Sequence, residues 1–308
     1  MTSPTLPHAL GHVDVPRVLS IAGTDPSGGA GTAADMKSIT AAGGYGMTVV
    51  TCLVAQNTTG VRAIHTPPLD FLAAQLQAVS DDVTVDAVKT GMLGTAGIIG
   101  TVGSWLDAHR PPVLVVDPVM VATSGDRLLE PDAEEAMRQF CRLADVVTPN
   151  IPELAVLTGA APAADQDAAV GQARDWAADT GVAVIVKTGH LDSALTTNLW
   201  VGPDGVIAEA PSSRIETAST HGTGCSLSSA LATRLGAGDS PQHALAWTTD
   251  WLHEAIEYGA ALHVGRGHGP VDHGHRARRL AAEFAAVTVE PGFFDRESWV
   301  GVGIEGET

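Results

Sequence analysis

Thr220-His221-Gly222-Thr223-Gly224-Cys225-Ser226 is the stretch on which the reading of this chain turns. Two glycines and three small hydroxyl residues run straight into an apolar-periodic segment. Leu227, Ala230, Leu231 and Leu235 recur at helical spacing, and Gly236 is a stop signal. The pattern predicts a glycine-rich turn at a helix N-terminus. The first amides of a helix have no intrahelical partner, and the helix dipole places partial positive charge there. Such a turn suits a phosphate or a developing negative charge, and a cysteine in it is expected to have its thiolate stabilised. The alternative is a glycine-rich loop feeding a core helix, with Cys225 a small buried apolar residue.

Outward from this turn, apolar β-branched runs alternate with amphipathic ones. Strands are expected at 17–22, 47–55, 85–89, 113–117, 145–148 and 183–187. Helices are expected at 30–42, 70–80, 96–108, 132–143, 165–180, 225–235 and 241–262. Strand then helix, repeated, means crossover units. The fold class is therefore α/β, a mostly parallel central sheet with helices on both faces, in a single domain. Thr197–Val201 and Val206–Ala208 flank a Gly-Pro-Asp-Gly turn and read as an edge hairpin. Residues 1–16 are turn-rich and expected to be flexible, and 17–275 form the domain. Residues 276–308, a basic patch followed by an acidic tail, are an extension of unassigned role expected to lie outside the core.

Composition narrows the partners. The net charge of −18 argues against a nucleic-acid surface, which needs clustered Lys and Arg. No apolar run is long enough for a membrane helix, and the first residues lack the basic start and apolar run of a secretory signal. Cys52, Cys141 and Cys225 are odd in number and lack metal-ligand spacing. A reduced, cytoplasmic protein is the simplest expectation. A histidine-rich run, 268–275, fits no zinc pattern and is read as a packing or capping segment.

In open α/β sheets ligands bind beyond the carboxyl ends of the strands. That rule singles out 22–31, 56–58, 89–92, 117–120, 148–153 and 187–190 beside the opening turn. Phosphoryl transfer needs donors for phosphate oxygens, a divalent metal, a cation on the nucleotide and a group to receive the acceptor's proton. Gly222, Thr223, Gly224 and Cys225 supply donors, Asp117 and Glu153 are strand-end carboxylates, and Lys187 is a strand-end cation. Each also has a plainer account: Asp117 terminating a strand, Glu153 answering a helix dipole, Lys187 reaching solvent. There is no Gly-x4-Gly-Lys-Ser/Thr loop, and Gly29-Ala30-Gly31 is only a fragment of a dinucleotide fingerprint.

Taken together, these motifs resemble the hydroxymethylpyrimidine and phosphomethylpyrimidine kinases of thiamine biosynthesis, in the ribokinase-like superfamily. The resemblance rests on Ala-Gly-Thr-Asp-Pro-Ser-Gly-Gly-Ala-Gly at 22–31 with Ala34-Asp35-Met36-Lys37, and on Val-Ala-Gln-Asn-Thr at 54–58. It rests also on Lys-Thr-Gly-Met-Leu at 89–93, Asp-Pro-Val-Met at 117–120 and Thr-Pro-Asn-x-x-Glu at 148–153. Lys-x-Gly-His-Leu at 187–191, Thr-His-Gly-Thr-Gly-Cys at 220–225 and Val-Gly-x-Gly-x-Gly-Pro-Val at 264–271 complete it.

The resemblance implies a ribokinase-like fold and ATP-dependent phosphorylation of 4-amino-5-hydroxymethyl-2-methylpyrimidine, then of its monophosphate. It implies ATP and Mg²⁺ as cofactors and a homodimer. Gly23, Ala30, Asp35, Gln56, Met92 and Val119 would hold the pyrimidine. Asn150, Lys187 and Thr223 would serve the nucleotide, and Asp117 and Glu153 the metal. Cys225, with Gly222, Thr223, Gly224 and Lys187, would be catalytic; it stands where sugar kinases of the superfamily carry an aspartate base. A pyridoxal or pyridoxine kinase of the same superfamily is the nearest alternative, and a non-catalytic pyrimidine sensor a more distant one.

Overall fold

The computed structural model describes residues 14–122, 124–126, 128–191 and 195–286. Most of the segment expected to be a flexible N-terminus, and the tail beyond 286, lie outside the described residues. β1 (Arg17–Ala22) is almost wholly buried because it is flanked on both sides, by β2 (Tyr45–Val50) and β5 (Ala87–Thr90), both parallel to it. β6 (Val113–Val116), β7 (Val146–Val147) and β8 (Ala183–Lys187) continue the parallel run. β9 (Leu195–Gly202) pairs antiparallel with β8, and β10 (Gly205–Ser213) with β9, closing the edge as the expected hairpin. The order is β10-β9-β8-β7-β6-β5-β1-β2.

Alternate residues of the central strands enter different cores, as the pleat requires. Leu114 and Val116 join one cluster with α2 (Leu69–Ser80), α3 (Ala96–Ala108), α4 (Glu134–Cys141) and α6 (Gln166–Thr180). Val115 and, on β8, Ile185 face the opposite side. There α1 (Gly31–Ala41), α7 (Thr223–Gly236) and α8 (Pro241–Gly259) pack. Helices thus cover both faces of one mostly parallel sheet, as expected. β1, β5, β6, β7 and β8 all end on the same rim, and α7 starts there.

Four elements depart from the sequence reading. The run 47–55, read as one strand, is two. After β2 the chain leaves the sheet at Thr51, whose amide donates to Ala22 O and whose hydroxyl donates to Met92 O. β3 (Leu53–Asn57) then pairs with β4 (Gly60–His65) in a separate antiparallel hairpin. Continuous apolar character concealed the break. The helix expected at 132–143 opens instead with a 3₁₀ turn, Pro131–Ala133, ahead of α4. α5 (Ile151–Thr158) is absent from the expected helices, although the plainer account of Glu153, as a residue answering a helix dipole, implied one. Its start is a capping box, in which the Asn150 side chain accepts from the Glu153 amide and the Glu153 carboxylate accepts from the Asn150 amide. α9 (His275–Ala286) runs helically across the boundary drawn at 275. Glu254 of α8 holds its first turns, accepting from His275 at 3.0 Å and from Arg276 at 2.5 Å.

Candidate active site

α7 begins without a side-chain cap. Its N-cap, Gly222, has φ +82°, and a Cβ there would overlap the Gly29 carbonyl oxygen, so only glycine fits. Among the described residues, the amides of Gly224 and Cys225 take no backbone acceptor, and both residues line the cavity. Two donors at a dipole's positive end therefore face open space. Asp25 ties the loop before α1 to the loop before α7. It is buried and accepts from the Ser27 amide and hydroxyl, the Gly29 and Ala30 amides, and His221 Nε2 at 2.8 Å. Burial pushes its pKa up, but the His221 and Ser27 bonds outweigh that and hold it at about 2. Neither Asp25 nor His221 was singled out from the sequence. The available signal was Asp-Pro-Ser-Gly-Gly, whose short acidic side chain closes its own turn.

Opposite the orphan amides lie Asp117, Glu153 and Lys187. Asp117 accepts from Thr148 Oγ1 at 3.0 Å and Ser228 Oγ at 3.3 Å, and Lys187 Nζ stands 3.7 Å from it. A Cβ on Gly224 would lie 3.6 Å from both Asp117 Oδ2 and Lys187 Nζ, so this group borders the anion turn directly. Glu153 is buried and accepts from the amides of Asn150 and Met120. Burial pushes its carboxyl up to about 7; Lys187 opposes this and Asp117 reinforces it. A carboxyl so poorly compensated, next to a second carboxylate, suits a divalent cation. Among the described residues no group of three or more His, Cys, Asp and Glu could hold a metal alone. Two carboxylates fit Mg²⁺, which keeps water and phosphate oxygens as its other ligands.

Cys225 is half-buried, and burial pushes its thiol up to about 11. Lys89 and the Gly31 amide pull it down, while Asp35 and Asp117 push it up. The thiolate stabilisation expected from the helix dipole is thus outweighed, and at neutral pH Cys225 is a thiol. Asp35 also corrects the reading. It is fully buried and is not part of the cavity wall. It accepts from Ser20, Ser229 and Lys89 Nζ, at 2.6, 2.7 and 2.8 Å. Its side chain projects from α1 into the core beneath the site, where Ser20, Ser229 and Lys89 occupy it. Burial opposes the charge of Lys89, but Asp35, with Cys225 and Asp117, holds its pKa above the ordinary lysine value.

The other residues expected on the pyrimidine side, Gly23, Ala30, Gln56, Met92 and Val119, all line one cavity of about 770 Å³. Asn150, Thr223 and Gly222 line it too, as do Asp117, Glu153, Lys187, Gly224 and Cys225. Met92 abuts Gly23, where a Cβ would lie 3.2 Å from its sulfur. The cavity's far end was unread in the sequence. Asn198, Ser213, Arg214, Thr249, His253 and Ile256 form it, from the edge hairpin and α8. No local motif marks them, because they converge only when the hairpin and α8 pack together.

The family model for phosphomethylpyrimidine kinase matches residues 25–272. The thiamine biosynthesis multifunctional protein of Corynebacterium glutamicum is 59% identical over 86% of this chain, which spans 35% of that protein's length. The hydroxymethylpyrimidine/phosphomethylpyrimidine kinase of Rhizobium meliloti is 44% identical over 84% of this chain and 97% of its own. Among solved structures, an ADP complex of Bacillus subtilis pyridoxal kinase superposes with a TM-score of 0.78 at 31% identity, over 86% of this chain and 99% of that one. Clostridium difficile phosphomethylpyrimidine kinase gives 0.69 at 35% identity, over 78% and 99%. The fold is thus the ribokinase-like one expected, and the chain belongs to the phosphomethylpyrimidine kinase family.

Proposed function

We propose that this chain transfers a phosphoryl group from ATP to the hydroxymethyl group of 4-amino-5-hydroxymethyl-2-methylpyrimidine, and a second to the resulting monophosphate. One observation carries the reading. Orphan amides, a lysine and a carboxylate pair share a single cavity with Gln56, Met92 and Val119. A carboxamide both donates and accepts, so Gln56 pairs with the edge of an aminopyrimidine, where a ring nitrogen lies beside an exocyclic amine. Met92 and Val119 take the ring faces and methyl group, with Gly23 and Ala30 keeping room for them.

The amides of Gly224 and Cys225 hold the transferring phosphoryl oxygens, with Thr223 beside them, and Lys187 and Asn150 serve the nucleotide phosphates. Asp117 and Glu153 are the residues that would hold Mg²⁺, whose charge would neutralise phosphate oxygens when bound. Cys225 acts as a thiol at the start of the reaction. It accepts the hydroxyl's hydrogen bond and so aims the oxygen. In a loose phosphoryl transfer the nucleophile needs little deprotonation before the new bond forms, so the proton leaves late, onto an oxygen of the transferred phosphoryl group as the bond to the leaving ADP breaks. Asp35 acts from below, by holding Lys89 under Cys225.

A second reading, phosphorylation of pyridoxal, is favoured by the TM-scores of 0.78 and 0.77 to the pyridoxal kinases of Bacillus subtilis and Staphylococcus aureus. Gln56 weighs against it, because pyridoxal has no exocyclic amine. Purified chain with ATP and Mg²⁺ is given each vitamin precursor, and the products are weighed by mass spectrometry. One and then two added phosphoryl groups on the pyrimidine support the first reading. Faster turnover of pyridoxal moves the assignment to the second. The proposal extends to a homodimer in a reduced cytoplasm, consistent with three free cysteines, and light scattering reads the mass.

A further inference from the structure

The glycine-rich segment 264–271 has no place in the chemistry above, yet it touches two parts of the site. Val54 and Gln56 of β3 form one wall of the pyrimidine end. A two-stranded hairpin is marginal by itself, so β3–β4 needs external support. Its turn residue Thr58 is only 7% exposed, although it sits at a hairpin tip. The His268 amide donates to Thr58 O at 2.9 Å, and the Gly267 amide donates to Thr58 Oγ1 at 3.2 Å. A Cβ on Gly267 would overlap the Thr58 carbonyl, and one on Gly265 would overlap its hydroxyl. Two residues further, Gly269 O accepts from the His221 amide at 3.0 Å, beside the anion turn. The segment is itself fixed to α8, since the Asp272 amide donates to Ala255 O at 2.7 Å. On the other side of the hairpin, Asp126 accepts from the Val61 amide at 3.0 Å and from Ser124.

We propose that segment 265–269 is a latch. It holds β3 down over the pyrimidine end of the cavity and fixes it relative to the anion turn, with Thr58 as its positioning residue. The glycines are there because the two backbones meet without room for side chains. The proposal rests on the functional reading above for what the wall encloses, but not for the latch itself.

Three variants test it. Thr58→Val removes the hydroxyl and keeps the shape, Thr58→Ser restores the hydroxyl, and Gly267→Ala drives a methyl into the Thr58 carbonyl. Two properties are measured on the full chain: amide hydrogen exchange across 53–65, and KM for the pyrimidine and for ATP. Losing one hydrogen bond corresponds to about fivefold. In Thr58→Val, exchange in the hairpin and KM for the pyrimidine should each rise about fivefold, with KM for ATP within about twofold. Gly267→Ala should exceed tenfold in both, and Thr58→Ser should match wild type. A purely structural role would lower the active fraction, and hence kcat, without moving either KM. Wild-type exchange across the hairpin in folded Thr58→Val and Gly267→Ala overturns the latch. So does an equal rise in both KM values. Absence of pyrimidine turnover in wild type overturns the functional reading, while hydrogen exchange still decides the latch.

Discussion

The chain contains Val-Lys-Thr-Gly twice, at 88–91 and 186–189, each near the end of a parallel strand, and each lysine faces an aspartate. The outcomes are opposite. Lys89 and Asp35 are completely buried and 2.8 Å apart. Lys187 is 15% exposed and stands 3.7 Å from Asp117. The difference follows from one residue of register. β5 runs on to Thr90, so Lys89 lies inside its strand, roofed by α7 and held by Asp35 of α1. β8 stops at Lys187, so that side chain emerges on the rim. A Cβ on Gly91 would lie 2.9 Å from Lys89 Nζ, showing how tightly the chain closes over it. The sealed pair is consumed by the fold. The open pair leaves its lysine partly uncommitted and available to a ligand.

The largest expected effect separates the two lysines. Lys89→Met strands the Asp35 charge in the core and should cost about 3–5 kcal/mol of stability, read by urea unfolding. Lys187→Met should stay within about 1 kcal/mol of wild type yet lose about 100-fold in kcat/KM. Equal destabilisation by the two changes would erase the distinction.

Cys225 lies between the pairs and feels both. Cys225→Ala removes the group that aims the hydroxyl and should lower kcat about 100-fold while the pyrimidine binds as before, by calorimetry. Turnover within a few-fold of wild type would reduce Cys225 to packing.

Of similar size is a pH effect on the open side. The Glu153 carboxyl is raised from the ordinary glutamate value of 4.5 to about 7 in the folded chain. Folded protein therefore binds more protons than unfolded protein between those limits. Stability is full below the lower one and falls as pH rises through the upper one, by about 3 kcal/mol. Glu153→Gln should remove that fall, and Mg²⁺ with ATP should flatten it in wild type. Urea midpoints from pH 4 to 8 that superimpose for both proteins would break the argument.

The smallest effect concerns the C-terminal helix, which touches neither pair. A chain ending after Arg279 keeps the Glu254 contacts and should lose less than about 1 kcal/mol, with kcat intact. One ending after Asp272 also gives up the bond between His273 and Ser226 of α7, and should melt markedly earlier.

Much of this was legible because periodicity and strand-end rules are local. β1, α3 and β8 fall within the bounds that patterning gives. The site residues that face the cavity come from motifs at strand ends, which the α/β rule locates. Asp35 was misread because an acidic residue in a motif looks like a ligand group. Nothing in the sequence says that Ser20, Lys89 and Ser229 converge on it from three other elements. Cys225 lines the cavity, but the thiolate stabilisation expected of it is outweighed by burial. The dipole is a property of the helix, whereas the opposing burial belongs to the packed whole. α9 escaped notice because its apolar positions are sparse and its anchor, Glu254, lies on another helix.

The contact between Gly222 and Gly29, with the nearby bond from His221 to Asp25, has a consequence for the order of events during synthesis. The donor turn and the loop it leans on are far apart in sequence, His221 and Asp25 being 196 residues apart, with nearly every strand of the sheet between them. A nascent chain that has emerged only as far as β10 already carries Gln56, Asp117 and Lys187, but it has no phosphate turn and nothing to brace Asp25. Such a chain holds the outline of the cavity without its working end. Catalytic competence should therefore arrive in a single late step when α7 docks, and no shorter fragment should show a fraction of it.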